Sequence, residues 1–227
     1  MPATRTTPAI RLSLLAAVVL TLAVIAAKVF VYLPLLSLPG SFALIGGASA
    51  LLSCYGVLIV WPSNRLDTSL RPHFAAILGT VGGLIQLTHL FVERFSSFPG
   101  IWNPIVTLSF MLVTFLVWGY VGYRSRALGF SIGASCLASV WSAIVTMTIA
   151  VLAGTLLELY IAPIPLGEMG TWVEFQRSGW NDLTAFSIAN TLDEASTHLL
   201  VGPAVACLFG ALGYGLSRLT HRSVPQR

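Results

Sequence analysis

Two pairs of histidine and glutamate are the side chains of this sequence best suited to chemistry. His89 precedes Glu93 by four residues near the end of the third apolar stretch, and Glu194 precedes His198 by four residues near the start of the last one. Residues four apart share one face of a helix, so each pair should present an imidazole beside a carboxylate. If the two helices cross a membrane in opposite directions, both pairs lie at one depth, with each glutamate at the rim.

Such a constellation allows three chemistries. The imidazoles of His89 and His198 can ligate a haem iron from both sides, or they can hold a divalent transition metal together with the two carboxylates. A protonatable His–Glu chain can also relay protons or bind a cation during transport. Gln86, on the same predicted helix face as His89, and Lys28, near the end of the first apolar stretch, are further candidates for binding a substrate or a proton.

A purely structural interpretation competes with all three. Thr191 and Glu194 fit the capping-box pattern Ser/Thr-x-x-Glu, which would begin the last helix at this point. Glu93 fits a solvated helix end, and each histidine would then be a single interfacial residue with its own hydrogen-bond partner. The site therefore depends on whether His89 and His198 lie close together.

Composition decides the class of protein that must position these side chains. The chain has 227 residues, of which 56% are hydrophobic and only 9% are charged, and its mean hydropathy is +0.86. A soluble domain carries roughly 25% charged residues. Long continuous apolar stretches, rather than alternating segments of about 10 residues, predict an all-α polytopic membrane helix bundle.

Six stretches are long enough to cross a bilayer, which takes about 20 apolar residues. They cover about 11–36, 41–62, 73–94, 102–123, 127–160 and 192–217, within a single membrane domain over 1–227. The first stretch exceeds the roughly 7–15 apolar residues of a signal peptide, so it is predicted to be a retained transmembrane helix. The connection at about 161–190 mixes aromatic and charged residues, which predicts an amphipathic segment on the outer surface before the last helix.

The basic residues predict the orientation. Three lie at or near one side, Lys28, Arg94 and Arg177, and nine lie on the other: Arg5, Arg11, Arg65, Arg71, Arg124, Arg126, Arg218, Arg222 and Arg227. The positive-inside rule then places both termini in the cytoplasm and the chain in a bacterial-type inner membrane. Because loop arginines account for the net charge of +4, no nucleic-acid partner is implied. The expected surroundings are the lipid bilayer and, as an alternative, other membrane subunits or further copies of the chain.

Small and hydroxylated residues predict how the helices pack. Gly79 and Gly83 let the third helix approach a neighbour closely. The fifth helix carries a row of hydroxyls, which favours a packed interface over a polar pore: Ser131, Ser135, Ser139, Ser142 and Thr146. Pro203 removes an amide in the last helix and frees the carbonyl of Leu199. Trp118 is expected in an aromatic belt at the inner interface.

These features favour a non-enzymatic membrane component, either a small permease or a subunit of a larger assembly, with a polar pocket facing outward. A haem- or metal-binding membrane protein using His89 and His198 is the alternative from another class. A small membrane enzyme is the third, and no catalytic residue is assigned because HExxH, CxxC and phosphate-loop patterns are absent from the sequence. The cysteines Cys54, Cys136 and Cys207 are interpreted as small apolar side chains.

Overall fold

Six long apolar helices build the bundle. The computed structural model describes residues 8–37, 40–60, 72–95, 101–161 and 169–220. Its helices there are α1 Pro8–Val31, α2 Ser41–Val60, α3 His73–Phe95, α4 Trp102–Ala127, α5 Ile132–Leu156, α6 Met169–Ser178 and α7 Leu183–Thr220. All of these except α6 are long and apolar enough to cross a membrane. The predicted all-α bundle of six spans is therefore confirmed.

The boundary between α4 and α5 lies later than predicted. The stretch 124–126 was expected to break the helix, yet α4 continues through it to Ala127. The chain reverses at Gly129, whose φ of +85° suits a residue without a side chain. Ser131 then caps α5, because its hydroxyl accepts a hydrogen bond from the backbone amide of Ala134.

The start of the last helix corrects the predicted capping box. α7 begins at Leu183 and is 38 residues long, about 57 Å at 1.5 Å per residue. Its N-cap is Asp182, whose Oδ1 accepts hydrogen bonds from the backbone amides two and three residues later at 2.9 and 3.1 Å. Thr191 lies inside the helix and donates to the carbonyl of Ser187 instead. Since a hydrocarbon core is about 30 Å thick, the first turns of α7 extend beyond it on the predicted outer side.

One half of the predicted amphipathic segment is a separate helix, and the other half belongs to α7. α6 covers Met169–Ser178, whereas residues 162–168 lie outside the described part of the chain. The ring of Phe186 in α7 contacts Phe175 of α6, with centroids 5.6 Å apart, and Trp180 in the connecting turn at 6.0 Å. This aromatic cluster attaches α6 to the start of α7.

α5 lies at the centre of the bundle and packs against α1, α3, α4 and α7. The hydroxyls of Ser135, Ser139, Ser142 and Thr146 are fully buried against these neighbours, which confirms a packed interface on this face. α3 and α7 each pack on α4 and α5, so these two helices lie diagonally across the group of four. α2 joins the bundle through α1 and α7.

Glycines bring two helix pairs into backbone contact. In the α4–α7 pair, Gly122 lies against the backbone of Gly210, and Gly213 lies against the backbone of Gly119. In the α3–α5 pair, Gly79 lies against the carbonyl of Ser142. Such close approach is how helices gain packing energy in a membrane, where lipid tails are as apolar as the helix surfaces.

The carbonyl that Pro203 frees has a partner that the sequence did not reveal. The hydroxyl of Tyr55, in α2, donates a hydrogen bond of 2.8 Å to the carbonyl of Leu199. Both residues are buried. α2 therefore attaches to α7 at the point where its internal hydrogen bonding is interrupted.

A hydrogen bond joins the end of α1 to the start of α7. The hydroxyl of Tyr32 donates to Oδ2 of Asp182, the same carboxylate that caps α7. Hydrogen bonding by Tyr32 and by the backbone amides holds the pKa of Asp182 below its usual range. The same contact raises the pKa of Tyr32. The ionised carboxylate is thus the form that the folded protein favours.

Replacing Asp182 with asparagine keeps a capping side chain but removes the charge, so we expect a loss of about 1 kcal/mol of stability near neutral pH. Because the pKa of Asp182 is lower in the folded protein than in the unfolded one, its carboxylate stabilises the fold fully above the unfolded-state pKa, near 3.8. This stabilisation is lost as the pH falls through the folded-state pKa. Thermal unfolding in detergent should show the wild type and Asp182→Asn converging only in acid. A difference that is equally large in acid and at neutrality would contradict the contact. Tyr32→Phe should behave in the same way and add little to Asp182→Asn.

Candidate functional site

A cavity of about 260 Å³ lies between α3, α4, α5 and α7. It occupies the side on which α3 and α5 end and α4 and α7 begin, which is the predicted outer side. Among its lining residues are Gln86, His89, Glu93, Glu194 and His198. The structure therefore places both His/Glu pairs around one space, although α3 and α7 lie diagonally.

The cavity reaches from the rim of the bundle to about the middle of the membrane. Gln86, its deepest residue on α3, lies nine residues before the helix ends at Phe95, a distance of about 14 Å along the axis. That is about half of a 30 Å hydrocarbon core. Glu93 lies near the end of the helix, so the carboxylate is at the rim and His89 is one turn deeper, as predicted.

Among the described ionisable residues of the cavity lining, His89 is the most enclosed, with 6% of its surface exposed. Its ring stacks on Phe110 of α4, with the centroids 5.2 Å apart. Its Nε2 lies 3.6 Å from Oε2 of Glu93 and makes no hydrogen bond within the described part of the chain. A buried nitrogen without a hydrogen bond destabilises the folded protein by roughly 1–3 kcal/mol. A bound group that donates a hydrogen bond to it would remove this cost.

The opposite wall belongs to α7. Nδ2 of Asn190 donates a hydrogen bond of 2.7 Å to Oε1 of Glu194, which orients that carboxylate. The ring of His198, which is exposed and lines the cavity, is hydrogen-bonded to the backbone carbonyl of Glu194. Helix α7 thus fixes its carboxylate and its imidazole through contacts one turn away.

The floor is closed by hydrogen bonds between helices. Nε2 of Gln86 donates to the hydroxyl of Thr114 at 2.7 Å. Deeper in the bundle, the indole of Trp118 contacts the hydroxyl of Thr146 at 3.4 Å, and that hydroxyl donates to the carbonyl of Gly79 at 2.9 Å. Trp118 is only 1% exposed, so its predicted place in an interfacial belt is wrong. The tryptophan lies buried below the cavity instead.

Lys28 is the one predicted site residue that does not line the cavity. Its ammonium donates a hydrogen bond of 2.9 Å to the carbonyl of Leu159 and lies 5.3 Å from the ring centroid of Tyr160. These partners belong to the π-helical turn Leu157–Ile161 that follows α5. A positive charge at this position stabilises the carboxyl-terminal end of a helix, where carbonyl groups carry partial negative charge.

Sequence reasoning missed one face of the cavity. Ser187, Asn190 and Thr191 line it together with Glu194 and His198. Asn190, Thr191, Glu194 and His198 follow Ser187 by three, four, seven and eleven residues. This spacing puts all of them on one helix face, so the pattern is present in the sequence. The predicted surface segment at about 161–190 places Ser187 and Asn190 outside the last helix, which obscures this pattern. Met111 and Met147 add apolar surface to the cavity lining. Nothing in their sequence spacing indicates that they lie there.

The described residues hold no group of three or more His, Cys, Asp and Glu side chains placed to bind a metal ion. A haem or a divalent metal on His89 and His198 therefore stays a prediction. The side chain of Glu158, another candidate ligand, lies outside the described positions. Within those positions the cavity is better described as a polar chamber with two carboxylates.

Comparison of the chain with protein-family models, curated proteins and solved structures found no match. A bundle of six apolar helices hosts many activities and assigns none of them. The function is therefore argued from the cavity.

Proposed function

We propose that this multi-pass membrane protein is a small permease of a bacterial-type inner membrane, with both termini inside, and that it binds its solute in the cavity. The observation that carries the proposal is a polar chamber open on one side and closed on the other. A carrier with a single site needs this asymmetry, because the site must be reached from one side of the membrane at a time.

The residues that line the cavity support the binding of a solute rather than a role in helix packing alone. Ionisable side chains are costly inside a bilayer and are retained where they bind or relay something. Glu93, Glu194 and both imidazoles line the open space of the cavity. The hydroxyls of Ser135, Ser139 and Thr146 in α5, by contrast, are buried in helix interfaces, where they stabilise packing.

α7 is the element best built to move. It supplies a full wall of the cavity, and Pro203 interrupts its hydrogen bonding just below His198. A proline inside a helix creates a flexible kink. The backbone contact between Gly122 and Gly210 lies beyond this point and holds the lower part of α7 against α4. Tilting of the upper part about Pro203 would widen or close the chamber.

Thiol labelling tests this proposal. In a chain whose three native cysteines are replaced by alanine, Ala150→Cys places a thiol on the cavity wall. A charged, membrane-impermeant reagent added outside should modify it at least about tenfold faster than it modifies Ala153→Cys, since reactivity follows access to water. Ala153 lies one turn further along α5 and does not line the cavity, so it is a matched control.

Two results would overturn the proposal. Modification of Ala150→Cys only from the inside, in inverted vesicles, would reverse the orientation of the chamber. Failure to react from either side would show that the chamber is not open to water, and a permease function would lose its support.

A further inference from the structure

The charge of the cavity favours a cationic solute. Among the described residues, the charged lining consists of two carboxylates, Glu93 and Glu194, and one guanidinium, Arg94, which lies at the rim. The amide nitrogens of Gln86 and Asn190 are already engaged as donors to Thr114 and Glu194. A carboxylate accepts several hydrogen bonds, so Glu93 and Glu194 offer acceptor oxygens that match a donor-rich cation in addition to their contacts within the protein.

His89 and Glu93 define a position for one N–H donor. Nε2 of His89 has no hydrogen bond to the described residues although only 8% of the side chain is exposed, and Oε2 of Glu93 lies 3.6 Å away. A single nitrogen can lie at hydrogen-bond distance, about 2.8 Å, from both atoms at once. The imidazole accepts a hydrogen there, and the carboxylate supplies the counter-charge.

The remaining space suits a short hydrocarbon group. A volume of about 260 Å³ equals roughly nine water molecules at about 30 Å³ each. Met111 and Met147 line it with flexible apolar side chains, which adapt to aliphatic groups. A bare metal ion would leave this apolar wall unused, and the described residues supply no set of three metal ligands.

Building on the proposed permease function, we propose that the solute is a small protonated aliphatic amine. Its ammonium lies between His89 and Glu93, and Glu194 supplies the second counter-charge across the cavity. Its carbon chain lies against Met111 and Met147. Recognition thus combines one N–H position, an excess of negative charge and an apolar wall of limited size.

Protection of the cavity thiol tests the amine. In the Ala150→Cys chain, labelling is measured with linear primary amines from methylammonium to hexylammonium, and with butanol and butyrate as neutral and anionic controls. At least one amine should slow labelling about tenfold, as expected at about 90% occupancy, and neither control should. Failure of every amine, or equal protection by butyrate, would overturn the inference.

Charge variants identify the contacts. Glu93→Gln and Glu194→Gln should each abolish protection by the amine, while Glu174→Gln, in α6 and away from the cavity, should preserve it. Protection that survives in both cavity variants would contradict the assignment. Labelling without any amine present reports the chamber itself, so rapid labelling with no amine protection rejects the solute class and leaves the permease proposal standing.

Discussion

Alanine at Gly213 is expected to prevent assembly of the bundle, whereas alanine at Gly215, two residues further along α7, should be tolerated. A Cβ at Gly213 would overlap the carbonyl of Gly119, and a Cβ at Gly215 would meet nothing within 4 Å. The obstacle at Gly213 is backbone, which cannot rotate away as a side chain can, so we expect a loss of at least about 3 kcal/mol. Unfolding in detergent and the yield of monodisperse protein measure the difference.

The same interface offers a second comparison on α4. A Cβ at Gly122 would overlap the backbone of Gly210, whereas a Cβ at Gly119 would lie 3.6 Å from the carbonyl of Phe209, an ordinary contact. Gly122→Ala should therefore be far more damaging than Gly119→Ala. Equal stability within either pair of variants would show that α4 and α7 do not touch through these glycines.

Trp118→Ala is expected to open the floor of the cavity as well as to destabilise the protein. Truncating a fully buried tryptophan costs about 3–5 kcal/mol through the hole that it leaves. That hole would lie between the chamber and the arginine-rich side, because Trp118 contacts Thr146 just below the Gln86–Thr114 bond. The Ala150→Cys thiol should then react with impermeant reagent from both sides of the membrane.

Two further variants distinguish the opening of the cavity floor from a general loss of stability. Trp118→Phe keeps most of the ring and should remain closed with a smaller loss of stability. Trp102→Ala removes a tryptophan that is 59% exposed at the start of α4, and it should change stability by no more than about 0.5 kcal/mol. One-sided labelling in a folded Trp118→Ala protein would mean that another residue closes the chamber.

Features that belong to one helix were predictable from the sequence. The six spans follow from length and hydropathy, and the shared face of Gly82, Gln86, His89 and Glu93 follows from the helical period. Gly82 does pack toward Thr146 of α5, and the three polar residues line the cavity. A row of residues at this period must face one direction wherever the helix lies.

Features that depend on two helices were not predictable. Thr191 and Asp182 are both acceptable N-caps, and the choice depends on contacts such as those of Tyr32 and Phe186, which are remote in sequence. Likewise, no pattern within α1 indicates whether Lys28 meets a carboxylate or a carbonyl. That His89 and His198 line one cavity could not be predicted without knowing that α4 and α5 hold α3 and α7 apart around an open space.

The place of α7 in the chain has a consequence for biosynthesis. This helix follows in sequence the described elements that it contacts, namely α2, α4, α5, the π-helical turn Leu157–Ile161 and α6. Until it leaves the ribosome, the cavity lacks a wall, Tyr55 lacks its acceptor, and the surface of Ser139 that Gly210 covers is open to lipid. The first five spans must therefore wait in the membrane with polar groups uncovered, and insertion of α7 is the step that commits the protein to its final form.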